Sequence, residues 1–167
     1  MKKGLRILCL LLILVIITGC VGGKKNITFK GKKLNATFEI LNLRSHKLSN
    51  NINDTMSNRE RAVIIGSNYK IGIEEDTSIS YDKYKGDFNK LSDNFKDQKD
   101  YKKVTYNGID GFQKYYIGYN RYEVYLNVND KVSLKLNIYA DEGKKVKDIY
   151  YSDEMQDILN SVVIKVK

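Results

Sequence analysis

The sequence predicts an α+β fold, an antiparallel β-sheet with helices laid against it, and three observations carry that prediction. Two neighbouring stretches alternate apolar and polar residues across a short polar break: Tyr122, Val124, Leu126 and Val128, then Val132, Leu134, Leu136 and Ile138. Strict alternation is the period of a strand with one buried face. Elsewhere Phe88, Leu91 and Phe95 recur at i, i+3 and i+7, which lays one stripe of a helix on a sheet. Finally, 167 residues with no proline allow one domain with its own core.

Taken in order, residues 27–29 and 34–41 read as two strands separated by a polar turn at 30–33, and Leu34, Ala36, Phe38 and Ile40 share one face. Residues 42–61 lose all periodicity, which predicts a long surface loop, either a functional loop or a disordered insertion. Residues 62–66 and 69–74 form the next strand pair, followed by a helix over about 82–98. A strand at 102–106, a tight turn at Asn107 and Gly108 and a strand at 112–119 come next, since Asn-Gly supplies the positive φ angles of a two-residue hairpin. In the alternating hairpin, a three-residue loop pairs Val128 with Val132, Leu126 with Leu134 and Val124 with Leu136. Tyr125 then opposes Lys135, and Arg121 opposes Tyr139. A helix over 146–160, capped at Ser152 or Asp153, precedes a short strand at 162–166.

The first twenty residues predict where the chain resides. Lys2, Lys3 and Arg6 precede an apolar run over 7–17, and the run ends in Ile17, Thr18, Gly19 and Cys20. A basic start, a short apolar core and small residues before a cysteine form a lipoprotein signal over 1–19. Cys20 is then the lipidation site, carrying a diacylglycerol-type lipid as the only expected attached group. The run spans roughly 16 Å at about 1.5 Å per residue, too short for about 30 Å of hydrocarbon. Residues 20–26 are a lipidated tether, and its five residues from 21 to 25 reach at most about 17 Å. The expected location is the outer face of the cell membrane, with residues 27–167 as the folded domain.

Composition narrows the function classes. Formal charge is +9, falling to +6 once Lys2, Lys3 and Arg6 leave with the signal. The basic excess is interleaved with acids, which together with export argues against nucleic acid as a partner. Lys24, Lys25, Lys30, Lys32 and Lys33 cluster beside the anchor, where anionic headgroups attract each by up to about 1 kcal/mol. The two cysteines are Cys9, inside the signal, and Cys20, so the domain offers no disulfide, thiolate nucleophile or cysteine metal site. No hydrolase, metalloprotease, phosphate-loop or calcium-loop motif is present. His46, the single histidine, sits in polar sequence and reads as solvent-exposed. Glu74, Glu75 and Asp76 cannot converge on one metal from consecutive strand positions, and read as a solvated strand end. No metal or catalytic site is therefore expected.

The order of elements resembles the PsbP-like and Mog1-like family over about 27–167, together with the turn at Asn107, Gly108, Ile109, Asp110 and Gly111 and the closing Ile158, Leu159, Asn160, Ser161 and Val162. The resemblance implies an α/β/α sandwich, and relatives that act as binding or assembly proteins. The Pro-x-x-Trp-like element common after the second strand of that family has no counterpart in residues 41–47. Tyrosines crowd the hairpin, and Arg121, Tyr125, Lys135 and Tyr139 fall on the face away from the Val/Leu core. Arginine and tyrosine are what interfaces and sugar sites use, so these four form the candidate binding face. Asn26, Asn35 and Asn53 head glycosylation triplets. The expected role is a non-enzymatic binding or assembly module for a membrane or envelope protein, with wall glycan as the alternative ligand.

Overall fold

The alternating stretches form strands that sort into two antiparallel sheets. A computed structural model describes residues 23–41, 46–76, 88–94, 96, 97, 100–129 and 132–167. Cys20 and the signal lie outside those residues. Among the described residues, no helix is long and apolar enough to cross a membrane.

Strands β1 (Lys24–Lys30), β2 (Leu34–Leu41) and β10 (Val163–Val166) make a three-stranded sheet in the order β1-β2-β10. The larger sheet has seven strands, β3 (Lys47–Ser49), β4 (Ala62–Ile65), β5 (Tyr69–Asp76), β6 (Lys102–Tyr106), β7 (Ile109–Tyr116), β8 (Arg121–Asn129) and β9 (Val132–Ala140). Its order is β3-β4-β5-β9-β8-β7-β6, with the predicted hairpin at the centre. Helices α1 (Phe88–Asp93), α2 (Val146–Tyr150) and α3 (Asp153–Asn160) complete the described elements. The result is a sheet-dominated α+β fold.

The core lies where the two sheets face each other. Ile27, Phe29, Leu34, Ala36, Phe38 and Ile40 of the small sheet cluster with Ile71, Ile73, Val124, Leu126, Leu134, Leu136 and Ile138 of the large one. Val146, Tyr150, Met155, Ile158 and Leu159 of α2 and α3 join the same cluster. A buried leucine or isoleucine contributes about 1.5–3 kcal/mol by leaving water, so an alternating strand gains most by pointing one row into this layer. Carboxylate chemistry links the sheets as well. Glu75 accepts backbone N–H bonds from Lys32, Lys33 and Leu34 at 2.9, 2.7 and 2.9 Å, fastening the β1–β2 turn to β5.

Several expectations need correction. The tether is shorter than 20–26, because Lys24, Lys25 and Asn26 already pair with Leu41, Ile40 and Glu39. Backbone pairing needs no apolar side chain, and a Lys24–Glu39 ion pair at 2.6 Å supports it. The 42–61 loop holds structure too: β3 pairs with β4, and a 3-10 turn spans Ile52–Asp54. Ser49 and Asn51 satisfy their own neighbourhood, taking N–H bonds from Asn51 and Asn53, so the order is local and polar. Residues 42–45 lie outside the described set.

The β8–β9 register is as predicted from Arg121 opposite Tyr139 to Leu126 opposite Leu134, but an irregularity between Asn127 and Asn129 puts Asn129 opposite Val132. Val128 is the extra residue, and Asn129 accepts the Val132 N–H at 3.1 Å. The single helix over 146–160 is two, because Ser152 takes extended backbone and its hydroxyl accepts the Met155 N–H at 3.3 Å. At the Asn107-Gly108 turn both residues have positive φ, 49° and 75°, as such a hairpin requires. Of the helix expected over 82–98, α1 covers 88–93 and residues 94, 96 and 97 are turns instead, while Phe95 is not among the described residues.

Candidate binding face

The second face of the large sheet is built from the alternate residues of the same strands. Lys114, Glu123, Asn137 and Gly72 stand in one row across β7, β8, β9 and β5, because each is the register partner of the next. Tyr116, Arg121 and Tyr139 form the row on one side, and Phe112, Tyr125, Lys135 and Glu74 the row on the other. The four predicted residues do share a face, as the alternation requires.

That face is buried over most of its area. Tyr125 is 6 % exposed, Lys135 7 % and Glu123 1 %, while Arg121 and Tyr139 are half-buried. This corrects the expectation of an open strip: Tyr125 and Lys135 are not accessible to a ligand. The charges buried there are satisfied by a network centred on Glu123. Its Oε1 lies 2.5 Å from Arg121 Nη2 and 3.2 Å from Lys135 Nζ, and its Oε2 lies 3.2 Å from Lys114 Nζ and accepts the Tyr125 hydroxyl at 3.1 Å. Burial alone disfavours the carboxylate, but Lys135, Lys114 and Arg121 outweigh it and hold Glu123 below the usual carboxyl range. Burial, and then the Glu123 charge, push the Tyr125 phenol well up.

The network continues toward β5. Asn137 Nδ2 donates to Glu74 Oε1 at 2.6 Å and to Glu60 Oε1 at 3.1 Å, and the Tyr139 hydroxyl donates to Glu60 Oε1 at 2.7 Å. Burial, reinforced by that bond to Glu60, raises the Tyr139 phenol. Glu60 reaches the sheet only because Gly72 has no side chain, since a Cβ there would stand 2.1 Å from the carboxylate. Glu60 also accepts the Met56 N–H at 2.8 Å, so the segment before β4 folds over this end of the face. Glu74 and Asp76 are buried here, 5 % and 8 % exposed, and Glu75 points to the opposite side. The solvated strand end is thus corrected, although the three side chains indeed do not converge.

Among the described residues the face reaches solvent at the β6–β7 end, where Lys103, Thr105, Asp110 and Asn127 are exposed, and at the corner around Arg121. The Arg121 guanidinium lies 5.1 Å from the Tyr116 ring centre and 5.0 Å from that of Tyr119, and Tyr119 is 68 % exposed. Tyr119 comes from a 3-10 turn, Ile117–Tyr119, that joins β7 to β8. The tyrosines that crowd this stretch of sequence part company here, since Tyr122 faces the core and is fully buried. The signal for the corner was the arginine one strand position after the turn.

Two further places hold polar groups. A cleft of ≈ 430 Å³ opens between α1 and the β6–β7 end, lined by Asn89, Ser92, Lys103, Thr105, Asp110 and Asn127 among others. His46 is the second. Its side chain is 1 % exposed, which corrects the solvent-exposed expectation, and its Nε2 lies 2.9 Å from the Tyr69 hydroxyl and 3.0 Å from Glu154 Oε1. Sequence distance hid this partner, since Glu154 lies on α3.

Among the described residues no three His, Cys, Asp or Glu side chains converge as a metal site would need. Of the glycosylation triplets, Asn26 is exposed on β1, Asn35 is half-buried in the middle strand β2, and Asn53 is exposed on the 3-10 turn. Comparison with protein-family models, curated proteins and solved structures found no match.

Proposed function

We propose that the chain is a lipoprotein held at the outer face of the membrane through Cys20, and that its domain is a non-enzymatic binding or assembly module for an envelope protein. The observation that carries the binding reading is the Tyr116–Tyr119–Arg121 corner. An exposed tyrosine stacked on an arginine is the composition of interface hot spots. Here the arginine is held from beneath by buried Glu123, so little side-chain entropy remains to be lost on docking.

Capture from detergent-solubilised native membranes, with the full chain as bait, tests this role. A stoichiometric envelope protein should be retained by the wild type and lost with Tyr119→Ala combined with Arg121→Ala. An unchanged set of captured proteins would remove the corner from the proposal, and retention on isolated wall alone would favour a glycan ligand. Mass analysis of the first mature peptide tests the anchor, which requires a lipid on Cys20.

The PsbP-like or Mog1-like reading belongs with this proposal. Its support is the order of elements, together with the Asn107 turn, whose side-chain amide donates to the Val162 carbonyl at 2.8 Å and so joins the two short motifs. It requires helices on both faces of the seven-stranded sheet, and amide exchange showing one face open to solvent along its whole length would overturn it.

A further inference from the structure

We propose that the outer side of the three-stranded sheet, around its β1–β2 turn, docks onto anionic lipid headgroups of the membrane that carries the chain's own anchor. The inference rests on the reading of Cys20 as lipidated, and adds to it an orientation and a second attachment. Lys30, Lys32 and Lys33 are exposed at the turn. The structure adds two lysines that are distant in sequence. Lys165 of β10 pairs with Asn35, whose other partner is Lys30, so Lys30 and Lys165 flank one residue on the outward row about 10 Å apart. Lys167 donates from Nζ to the Gly31 carbonyl at 2.5 Å and from its backbone to that of Lys33 at 2.9 Å, which brings it to the same turn.

The acid bonded to this turn offsets only one of these five charges. Glu75 spends its oxygens on three backbone N–H groups, and among the described residues none of the five lysines is in an ion pair. The opposite end of β1 differs, since Lys24 there is paired with Glu39 at 2.6 Å and also feels Asp157. Charge is therefore concentrated at the end of the strand remote from the anchor. Val163, on the same outward side, is 45 % exposed and offers a shallow apolar contact.

Geometry selects the membrane as the occupant. Cys20 is four residues before Lys24, a reach of at most about 14 Å, and β1 then runs for about 20 Å to the lysine cluster. A domain so closely tethered places its small sheet beside the bilayer, and lying flat brings the far lysines within a Debye length of about 8–10 Å. The two chains of the lipid suffice for attachment, and a basic patch at the opposite end of the strand adds orientation.

The test uses the full chain, purified from membranes of a bacterial host and mixed with vesicles of phosphatidylcholine alone or with one third phosphatidylglycerol. Flotation reads attachment, and labelling with a membrane-impermeant amine reagent, followed by mass analysis, reads each lysine. The expected result is flotation with both lipids, and labelling of Lys30, Lys32, Lys33 and Lys165 slowed several-fold by phosphatidylglycerol. Lys70 and Lys103, on the far face of the large sheet, should label alike on both vesicles. Lys30→Glu with Lys165→Glu should return Lys32 and Lys33 to their phosphatidylcholine rate, whereas Lys70→Glu with Lys103→Glu should not. Flotation with both lipids and no difference in labelling would overturn the docking face and leave the anchor standing. Flotation and protection only with phosphatidylglycerol would keep the face and remove the anchor, and flotation with neither would remove both.

Discussion

Glu123 shows how one side chain can decide the character of a sheet face. It is 1 % exposed and faces Lys114, Lys135 and Arg121, and such a group is stable only while every charge keeps its partner. Glu123→Gln keeps the shape and removes the charge, leaving three cations together. The expected cost is about 3–5 kcal/mol, the usual penalty for breaking a buried pair from one side. Urea unfolding measures it, and a loss below 1 kcal/mol would mean that water reaches the network. None of this was legible in the sequence, because a polar residue on an alternating strand looks the same in solvent or in a buried ion group. His46 and Gly72 were illegible for a related reason: the partners that explain them, Glu154 and Glu60, are brought near by tertiary contact alone.

Elements were legible where local chemistry decides them. The β8–β9 pairing followed from alternation, and the Asn107-Gly108 turn followed from the two positive φ angles it needs. The division into two sheets did not follow, since nothing local tells a strand which sheet will accept its apolar row. Glu75 is the clearest link across that division, because it joins β5 of one sheet to the β1–β2 turn of the other. Hydrogen bonds to a charged group contribute about 1.5–3 kcal/mol, so Glu75→Ala should loosen the turn by at least one such amount. Amide exchange resolves where the loss falls. Exchange at Lys32, Lys33 and Leu34 should accelerate while the β5–β9 pairing stays protected, and uniform acceleration would show that the turn is not a separately stabilised unit.

At the scale of the whole molecule, buried ionisable groups set the pH range over which the two sheets stay together. Glu123 has a lowered folded pKa, so its contribution is fully present above the unfolded carboxyl value, about 4.3, and is lost as pH falls through the folded value. The alkaline side is governed by tyrosine. Burial is the leading cause that raises the phenols of Tyr69, Tyr125, Tyr139 and Tyr150, with Glu154, Glu123, Glu60 and Tyr106 respectively adding to it. A raised folded pKa means stability that is intact below the unfolded value, about 10, and lost as pH climbs toward the folded one. Each phenol that ionises only on unfolding adds a slope of about 1.4 kcal/mol per pH unit. Stability above pH about 10 should therefore fall by several kcal/mol per unit, with tyrosinate absorbance and loss of circular dichroism sharing one transition. Tyr125→Phe removes one such proton together with its bond to Glu123. The lost bond lowers stability at every pH, whereas the lost proton shallows only the alkaline slope by about one unit of proton release. Urea unfolding at a series of alkaline pH values separates the two, and an unchanged slope would mean that the Tyr125 phenol titrates within the folded state.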